Sequence, residues 1–419
     1  MAGFKKFKNK LANKEVKVLL ENFISLSLLN VLGYIFPILT LPYLARVLGI
    51  EKIGEIAFAS SIMVYLQTFV DWGFNFTGTR DIAKSREDLQ KVKVIFNNIM
   101  WAKILLTILA FFLLSLLIVL IPFFYEKKEL LLISFLLVVG NTLFPQWLFQ
   151  GMEKMKYITF LNLISKLLFT IAVFVFIKKS DDYLLQPFFI SLGYLVAGVI
   201  SLFVIKKYWK IKIMPLSLPG VINSIKSSYD VFLNQLMPNL YNSFSTMLLS
   251  FIGGSIPTGK LDAGSKFTNI GMQLNNIINR VFFPYLSRRE DKHAAYAKIS
   301  ISIALVLSVG LFVFAPFIIK VFYTKEFYDS IQVLRIMSFS LFFIALSGVY
   351  GTNYMIIKGY ERKLRNITFT ISILGFIMAF PLVYYFSYIG AALNIVITRA
   401  LLGVVIMFYS KRIANYERN

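Results

Sequence analysis

The 419-residue sequence contains no cysteine and a single histidine, His293. Disulfide frameworks and thiolate metal sites are therefore excluded, and one imidazole cannot build a histidine cluster. Charge is scarce as well, since only 16% of residues are Asp, Glu, Lys or Arg, against about 25% in a soluble domain. Long polar stretches are missing too. The longest, Lys206 to Tyr229, has 24 residues, whereas a catalytic domain needs at least ~50. A soluble enzyme is thereby excluded, and so is a catalytic domain tethered to a membrane.

What the chain has in excess is apolar surface: 58% hydrophobic residues, 42 of them Phe, and a mean hydropathy of +0.71. A run of about 20 apolar residues crosses a bilayer as a helix. Twelve such runs can be marked, near Phe23–Ala45, Ile53–Phe76, Ile95–Ile121, Leu130–Phe149, Ile158–Ile177, Leu184–Ile205, Val231–Ile252, Asp262–Leu286, Ile299–Ile319, Ile331–Ile357, Ile367–Phe386 and Ile389–Tyr409. They are continuous rather than alternating, which excludes the short strands of a β-barrel. The expectation is an all-α membrane protein of twelve transmembrane helices, the eighth being the least hydrophobic.

A net charge of +23 would point to nucleic acid in a soluble protein. Here its location decides. On alternate sides of the twelve runs fall 29 and 9 basic residues, with 6 inside the runs. The richer side, which includes both ends, is expected to be cytoplasmic, and no nucleic-acid partner is expected. Lys5, Lys6, Lys8, Lys10, Lys14 and Lys17 precede the first run in the manner of a signal peptide. That run is too long for a signal core and ends at no small-residue cleavage site, so it reads as a retained first span of a multi-pass membrane protein.

The sequence also repeats. Leu29-Asn30-Val31-Leu32 matches Leu233-Asn234-Gln235-Leu236 and Leu48-Gly49 matches Ile252-Gly253 at an offset of 204, while Gly54 and Ser60 match Gly259 and Ser265 at 205. Six spans per half give both copies one orientation, so two pseudo-symmetric six-helix lobes around a central cavity are expected, residues 1–212 and 213–419. The basic stretch from Lys206 to Tyr229 joins them.

Polar residues inside the runs mark the candidate site. In the eighth run Asp262, Lys266, Asn269, Gln273, Asn276 and Arg280 are spaced 4, 3, 4, 3 and 4, one helical face about 27 Å long. Gln235, Asn239, Asn242 and Thr246 stripe the seventh run, and Gln67, Asp71 and Asn75 the second. At the 205 offset Asp71 and Asn75 fall on Asn276 and Arg280. Faces that polar cannot meet lipid, and equivalent helices of two lobes presenting them suggest one water-filled cavity. The competing reading of any single Asn is hydrogen-bond glue between helices, at about 0.6 kcal/mol per contact. Asp71 and Arg280 lie at similar depth and are expected to pair. Lys103 and Lys166 sit about 12 Å from the cytoplasmic end, at the limit of snorkelling. Arg399 lies near mid-depth, where an unpaired charge costs at least about 2.5–3.5 kcal/mol, so it needs a partner or water. Asn30 with its repeat equivalent Asn234, and Arg46 at the outer end of the first span, complete the candidate set. Interior cations outnumber interior acids, which suits an anionic substrate such as a phosphate or pyrophosphate.

Gly254-Ser255-Ile256-Pro257-Thr258-Gly259-Lys260 has the spacing of a phosphate-binding loop. Leu261 follows where Ser or Thr must hold magnesium, and no strand precedes, so nucleotide binding is rejected.

Two stretches carry a family resemblance. One is Pro37-Ile38-Leu39-Thr40-Leu41-Pro42-Tyr43-Leu44-Ala45-Arg46-Val47-Leu48-Gly49, with Gly73-Phe74 and Gly78-Thr79-Arg80-Asp81-Ile82-Ala83 beyond it. The other is Pro145-Gln146-Trp147-Leu148-Phe149-Gln150-Gly151-Met152-Glu153-Lys154-Met155-Lys156-Tyr157. Both resemble the polysaccharide transporter family of O-antigen and other lipid-linked oligosaccharide flippases. The resemblance implies the multidrug/oligosaccharidyl-lipid/polysaccharide exporter fold, alternating access, and a short sugar repeat on undecaprenyl pyrophosphate as substrate. It implies a non-enzyme without cofactor, a proton or sodium ion being the candidate coupling species, and membrane lipids, a polysaccharide polymerase and a chain-length regulator as partners. Gln146, Trp147 and Gln150 then read equally as interfacial anchors or sugar contacts. A cation-coupled drug antiporter of the same superfamily and a membrane polysaccharide polymerase or ligase are the alternatives. The first needs a dedicated acidic cation site, for which Asp71 is the candidate. The second needs a large outer loop, and the outer loops here have about ten residues or fewer.

Overall fold

The computed structural model describes the backbone of residues 14–287 and 289–416, and the side chains of 36, 38–279, 282, 283, 285–287, 289 and 291–414. Every regular element among them is helical, as an apolar chain in lipid requires, because backbone polar groups there must be satisfied within their own segment. α1 (Lys14–Asp71) turns at Gly49, whose φ of 74° is open to glycine at no steric cost. Next come α2 (Phe74–Ser85), α3 (Leu89–Leu120), α4 (Pro122–Glu126), α5 (Lys128–Leu143), α6 (Gln146–Gly151), α7 (Met155–Phe176) and α8 (Leu185–Trp209). The remainder comprises α9 (Leu218–Leu236), α10 (Asn242–Gly253), α11 (Ser255–Leu286), α12 (His293–Phe322), α13 (Ser330–Leu346), a π-helix at Ser347–Ile356, and α14 (Glu361–Tyr416), which turns at Ser387.

Among the described residues eight stretches are long and apolar enough to cross a membrane, two of them, Ile38–Ser85 and Glu361–Ala414, running through a turn. Their burial is inverted relative to a soluble protein. α3 buries Lys103, Leu106, Ala110 and Leu114 at helical spacing while Leu109, Phe112, Leu116 and Val119 are exposed. That outer surface fits hydrocarbon and not water. The seventh and eighth runs, now α9 to α11, are not among the eight, for two reasons. α11 carries the polar stripe. The seventh run is cut by a 3₁₀ turn at Met237–Leu240, where Pro238 supplies no backbone N–H.

Three run boundaries are corrected. The second ends at Asp71 rather than Phe76, because Trp72 and Gly73 take positive φ of 42° and 81° and start a new helix. The fourth breaks at Phe144-Pro145. The seventh begins at Leu218, so the second half of the stretch read as a linker is helical. In the stretch with phosphate-loop spacing Gly254, at φ 82°, makes the turn from α10 into α11, and Ser255 to Lys260 are the first residues of α11.

The chain divides into two compact units, 1–43 with 65–233, and 44–64 with 234–419. The first packs α5 and α7 on α8 and α2 on α6; the second packs α12, α14 and α11 on α13, and α10 on α14. In the second unit the first turns of the helix that follows Gly49 cross the start of α11 at van der Waals distance. A Cβ on Gly54 would lie 1.8 Å from the Ser255 carbonyl oxygen, and one on Gly259 would lie 2.4 Å from that of Ile50. The repeat-related glycines thus sit at one crossing, where close backbone approach replaces side-chain interdigitation.

Candidate functional site

α11 owes its orientation to its small face. Ala263, Gly264, Thr268, Gly271 and Asn275 are buried, Gly264 and Gly271 abut Val333 and Leu341 of α13, and Asn275 Nδ2 donates to the Leu341 carbonyl at 3.1 Å. With that face docked, the opposite one is open. Lys266, Asn269, Gln273 and Asn276 are all exposed, and Lys266 Nζ pairs with Asp262 Oδ1 at 3.1 Å. Four of the six stripe residues therefore form a continuous exposed polar row, with Asp262 half-buried at its start. The backbone of Arg280 continues the row in helical register, and its side chain lies outside the described residues, as does that of Asn30.

The other stripes are rearranged. Gln67 and Asp71 remain on α1, but the Trp72-Gly73 turn moves Asn75 onto α2 and off their face. Both amide atoms of Gln67 are buried and have no partner among the described residues. Gln235 ends on α9, Asn239 falls in the 3₁₀ turn, and Asn242 and Thr246 belong to α10, so the seventh-run stripe is not one helical face. Asn234 and Arg46 are exposed and Lys166 on α7 is half-buried.

Asp71 is engaged by Lys103: Nζ to Oδ1 is 2.8 Å, and the lysine side chain is 2% exposed. Lys103 therefore does not snorkel, and Asp71 has a partner on α3; the expected pairing of Asp71 with Arg280 falls on a side chain outside the described residues. The spacing could not show this, because α3 reads as uniformly apolar around Lys103.

Arg399 on α14 is buried. Its Nη2 donates to Asn242 Oδ1 at 2.9 Å, Asn242 Nδ2 donates to the Pro238 carbonyl, and Nη1 is buried with no partner among the described residues. A second polar cluster was not legible in the spacing, since its members lie on different helices. Tyr296 donates to Asn279 Oδ1 at 2.6 Å, and Asn353 of the π-helix donates to the Asn279 carbonyl at 3.2 Å. These buried bonds tie the π-helix to α11 and α12.

Among the described residues no group of three His, Cys, Asp or Glu is placed to hold a metal ion. Chemically the arrangement offers amides, ammonium and guanidinium groups, which suit hydroxylated and anionic ligands.

Comparison with known proteins agrees in fold and family. The structure is similar to that of lipid II flippase MurJ in an inward closed conformation, with TM-score 0.72 over 94% of this chain and 87% of the other at 15% identity. It is also similar to an inward-facing multidrug resistance MATE family transporter of the MOP superfamily, with TM-score 0.64 over 91% and 96% at 15% identity. In sequence, a protein of Escherichia coli (strain K12) assigned to O-antigen transport is 31% identical, covering 93% of this chain and 96% of its own, and one of Shigella dysenteriae with the same assignment is 28% identical over 94% and 99%. A family model described as polysaccharide biosynthesis protein matches residues 19–290. With that match spanning more than half of a chain whose helices carry an exposed polar row, the protein belongs to the polysaccharide biosynthesis protein family.

Proposed function

We propose that this chain is a flippase that moves an oligosaccharide repeat unit, linked to undecaprenyl pyrophosphate, across the bacterial cytoplasmic membrane for surface polysaccharide assembly. The observation that carries the reading is the exposed row Lys266, Asn269, Gln273 and Asn276 on α11. Amides on successive turns suit a hydrated glycan, and Lys266 with Arg280 beyond it suits a phosphate. The relatives assigned to O-antigen transport support the same substrate class. In this reading twelve spans form two six-helix lobes, 1–212 and 213–419, that open alternately to the two faces. Both termini are cytoplasmic, no cofactor takes part, and a proton or sodium gradient is the candidate driving force. A polymerase and a chain-length regulator would receive the product.

The antiporter reading is weakened by one contact. Asp71, its acidic cation site, is paired with Lys103 at 2.8 Å. A polymerase or ligase reading gains no support from the site, whose described residues are amides, Lys266 and the single carboxylate Asp262.

The test is export of the lipid-linked repeat in cells. Arg280→Gln abolishes export while the protein stays folded in the membrane, and Arg280→Lys keeps part of it, because a point charge attracts phosphate without the bidentate fork. Normal export by the Gln variant would remove the anion role. Loss of the protein from the membrane would assign Arg280 to folding instead.

A further inference from the structure

We propose that the cavity of about 220 Å³ beside Arg399 is a binding site for a phosphate-class oxyanion, built within the unit of residues 44–64 and 234–419. Four observations converge on it. Arg399 is 6% exposed, its Nη2 is held by Asn242 at 2.9 Å, and its Nη1 is buried without a hydrogen-bond partner among the described residues. A charge so placed requires compensation. Among the described residues no carboxylate pairs with Arg399 and none lines the cavity, and an anion entering the cavity would supply the compensation.

The lining is suited to such an anion. Tyr241, Ser347, Thr352 and Thr368 bring hydroxyl groups to the wall. Ser347 and Thr368 bond the carbonyls of Phe343 and Leu364 four residues back, and each can rotate its hydrogen toward an anion instead. The guanidinium fork matches an oxyanion in geometry as well as charge. Hydroxyls on several walls favour the tetrahedral oxygens of a phosphate over the two coplanar oxygens of a carboxylate. The volume equals roughly seven waters' share of liquid, enough for such a group.

The cavity also borders a second space. Thr352 lines a second space of about 360 Å³ together with Asn276, Asn279 and Phe283. One π-helical side chain therefore forms a wall common to the exposed α11 row and the Arg399 cavity, and π-helical turns recur at functional sites. The anion has two sources, a dissolved phosphate or the diphosphate of a lipid headgroup. The inference leans on the flippase reading only for the second.

The test uses the full chain in lipid nanodiscs. Sodium pyrophosphate raises the Tm of the wild type relative to sodium acetate at equal ionic strength, and Arg399→Gln weakens this binding by about tenfold to a hundredfold. Without anion, Arg399→Gln unfolds at the wild-type temperature or above, since it removes an uncompensated charge. Thr352→Phe narrows the common wall and weakens pyrophosphate binding with Arg399 intact. Undecaprenyl pyrophosphate in the nanodisc separates the sources. An Arg399-dependent shift with lipid but not with free pyrophosphate assigns the headgroup, and a shift with both admits either. Equal shifts in wild type and Arg399→Gln for both probes overturn the site. So does a lower Tm of Arg399→Gln without anion, which would make Arg399 a structural crosslink to Asn242. Should the Arg280 test fail, the Arg399-dependent pyrophosphate shift would still stand, so the two readings fail separately.

Discussion

Lys103 Nζ on α3 lies 2.8 Å from Asp71 Oδ1 at the last residue of α1, with the lysine side chain 2% exposed and the aspartate 17%. The pair sits where α1 stops, one residue before the positive φ of Trp72. It thus clamps the end of one helix to the flank of another. Thr107, one turn further along α3, donates to the Lys103 carbonyl.

Removing one partner of a buried pair strands the other. Asp71→Asn is expected to cost about 3–5 kcal/mol because Lys103 stays buried without a counter-charge. Asp71→Asn combined with Lys103→Met should recover most of that loss, since the methionine fills similar volume without charge. Thermal unfolding of the two single variants and the double variant in detergent measures the coupling. If the double variant is no more stable than Asp71→Asn, the pair is not what holds the helix end.

The helix crossing at Gly54 gives a second expectation. A leucine there would place its Cβ 1.8 Å from the Ser255 carbonyl oxygen, and backbone cannot retreat as a flexible side chain can. Gly54→Leu and Gly259→Leu should each yield little folded protein, while Gly310→Ala, with nothing within 4 Å of its Cβ, should fold and gain up to about 1 kcal/mol. Size-exclusion profiles and Tm values check this. A well-folded Gly54→Leu protein would mean that the crossing can open.

The contrast between stripes shows what sequence could carry. Within the 4, 3, 4, 3, 4 spacing, Lys266, Asn269, Gln273 and Asn276 form an exposed row because α11 is one uninterrupted helix, and helical periodicity is a local property. The row of Gln67, Asp71 and Asn75 does not survive. Its break depends on a tryptophan in the left-handed region, a conformation that spacing gives no reason to expect. Pro238 is a sign that Gln235, Asn239, Asn242 and Thr246 span a break, but an apolar run masks a 3₁₀ turn. Long-range partners were least legible. That Lys103 would find Asp71, or that Asn242 would hold Arg399, depends on which helices pack together, and an α-helix of nearly uniform apolarity does not record its neighbours. Membrane class and the all-helical character came from composition. The π-helix, which borders the Arg399 cavity, left no mark in the sequence pattern.

A third expectation concerns pH at the entry of α3. Asp88 caps that helix, its Oδ1 accepting from the Lys91 and Gln90 backbone N–H groups at 3.2 and 3.1 Å. The Lys91 N–H bond above all, with its side chain and charge nearby, holds the carboxyl below its ordinary value. A depressed carboxylate contributes stability above its unfolded pKa and loses it as pH falls through the lower folded value. Protection of the Gln90 and Lys91 amides against hydrogen exchange should therefore be constant from pH 6 down to about 4 and decline below it. Asp88→Asn, also a good cap, should lose this pH dependence while keeping protection. Asp88→Ala should lose protection throughout. A decline unchanged in Asp88→Asn would place its origin in another group.

The last expectation concerns orientation, on which every assignment of depth rests. Basic residues divide 29 to 9 between alternate sides of the runs, and the 9 include Lys127, Lys128, Lys178, Lys179 and Lys325. A bias of that size sets cytoplasmic placement. The structure puts these residues at helix ends or turns: Lys127 between α4 and α5, Lys179 before the 3₁₀ turn at Ser180–Leu184, and Lys325 after α12. Activity-reporting fusions after Arg86, Lys210, Arg289 or Arg418 should therefore behave as cytoplasmic, and those after Lys127, Lys179 or Lys325 as external. The pair Lys210 and Arg289 is the most informative, because the segment between them contains α9 to α11, which are not among the eight stretches long and apolar enough to cross a membrane. Cytoplasmic readout at both requires that this segment cross an even number of times, as α9 with α10 going out and α11 returning would do. Opposite readouts at Lys210 and Arg289 would require an odd number of crossings between them, so α9 with α10 and α11 could not be one span each, and the twelve-span arrangement would fall.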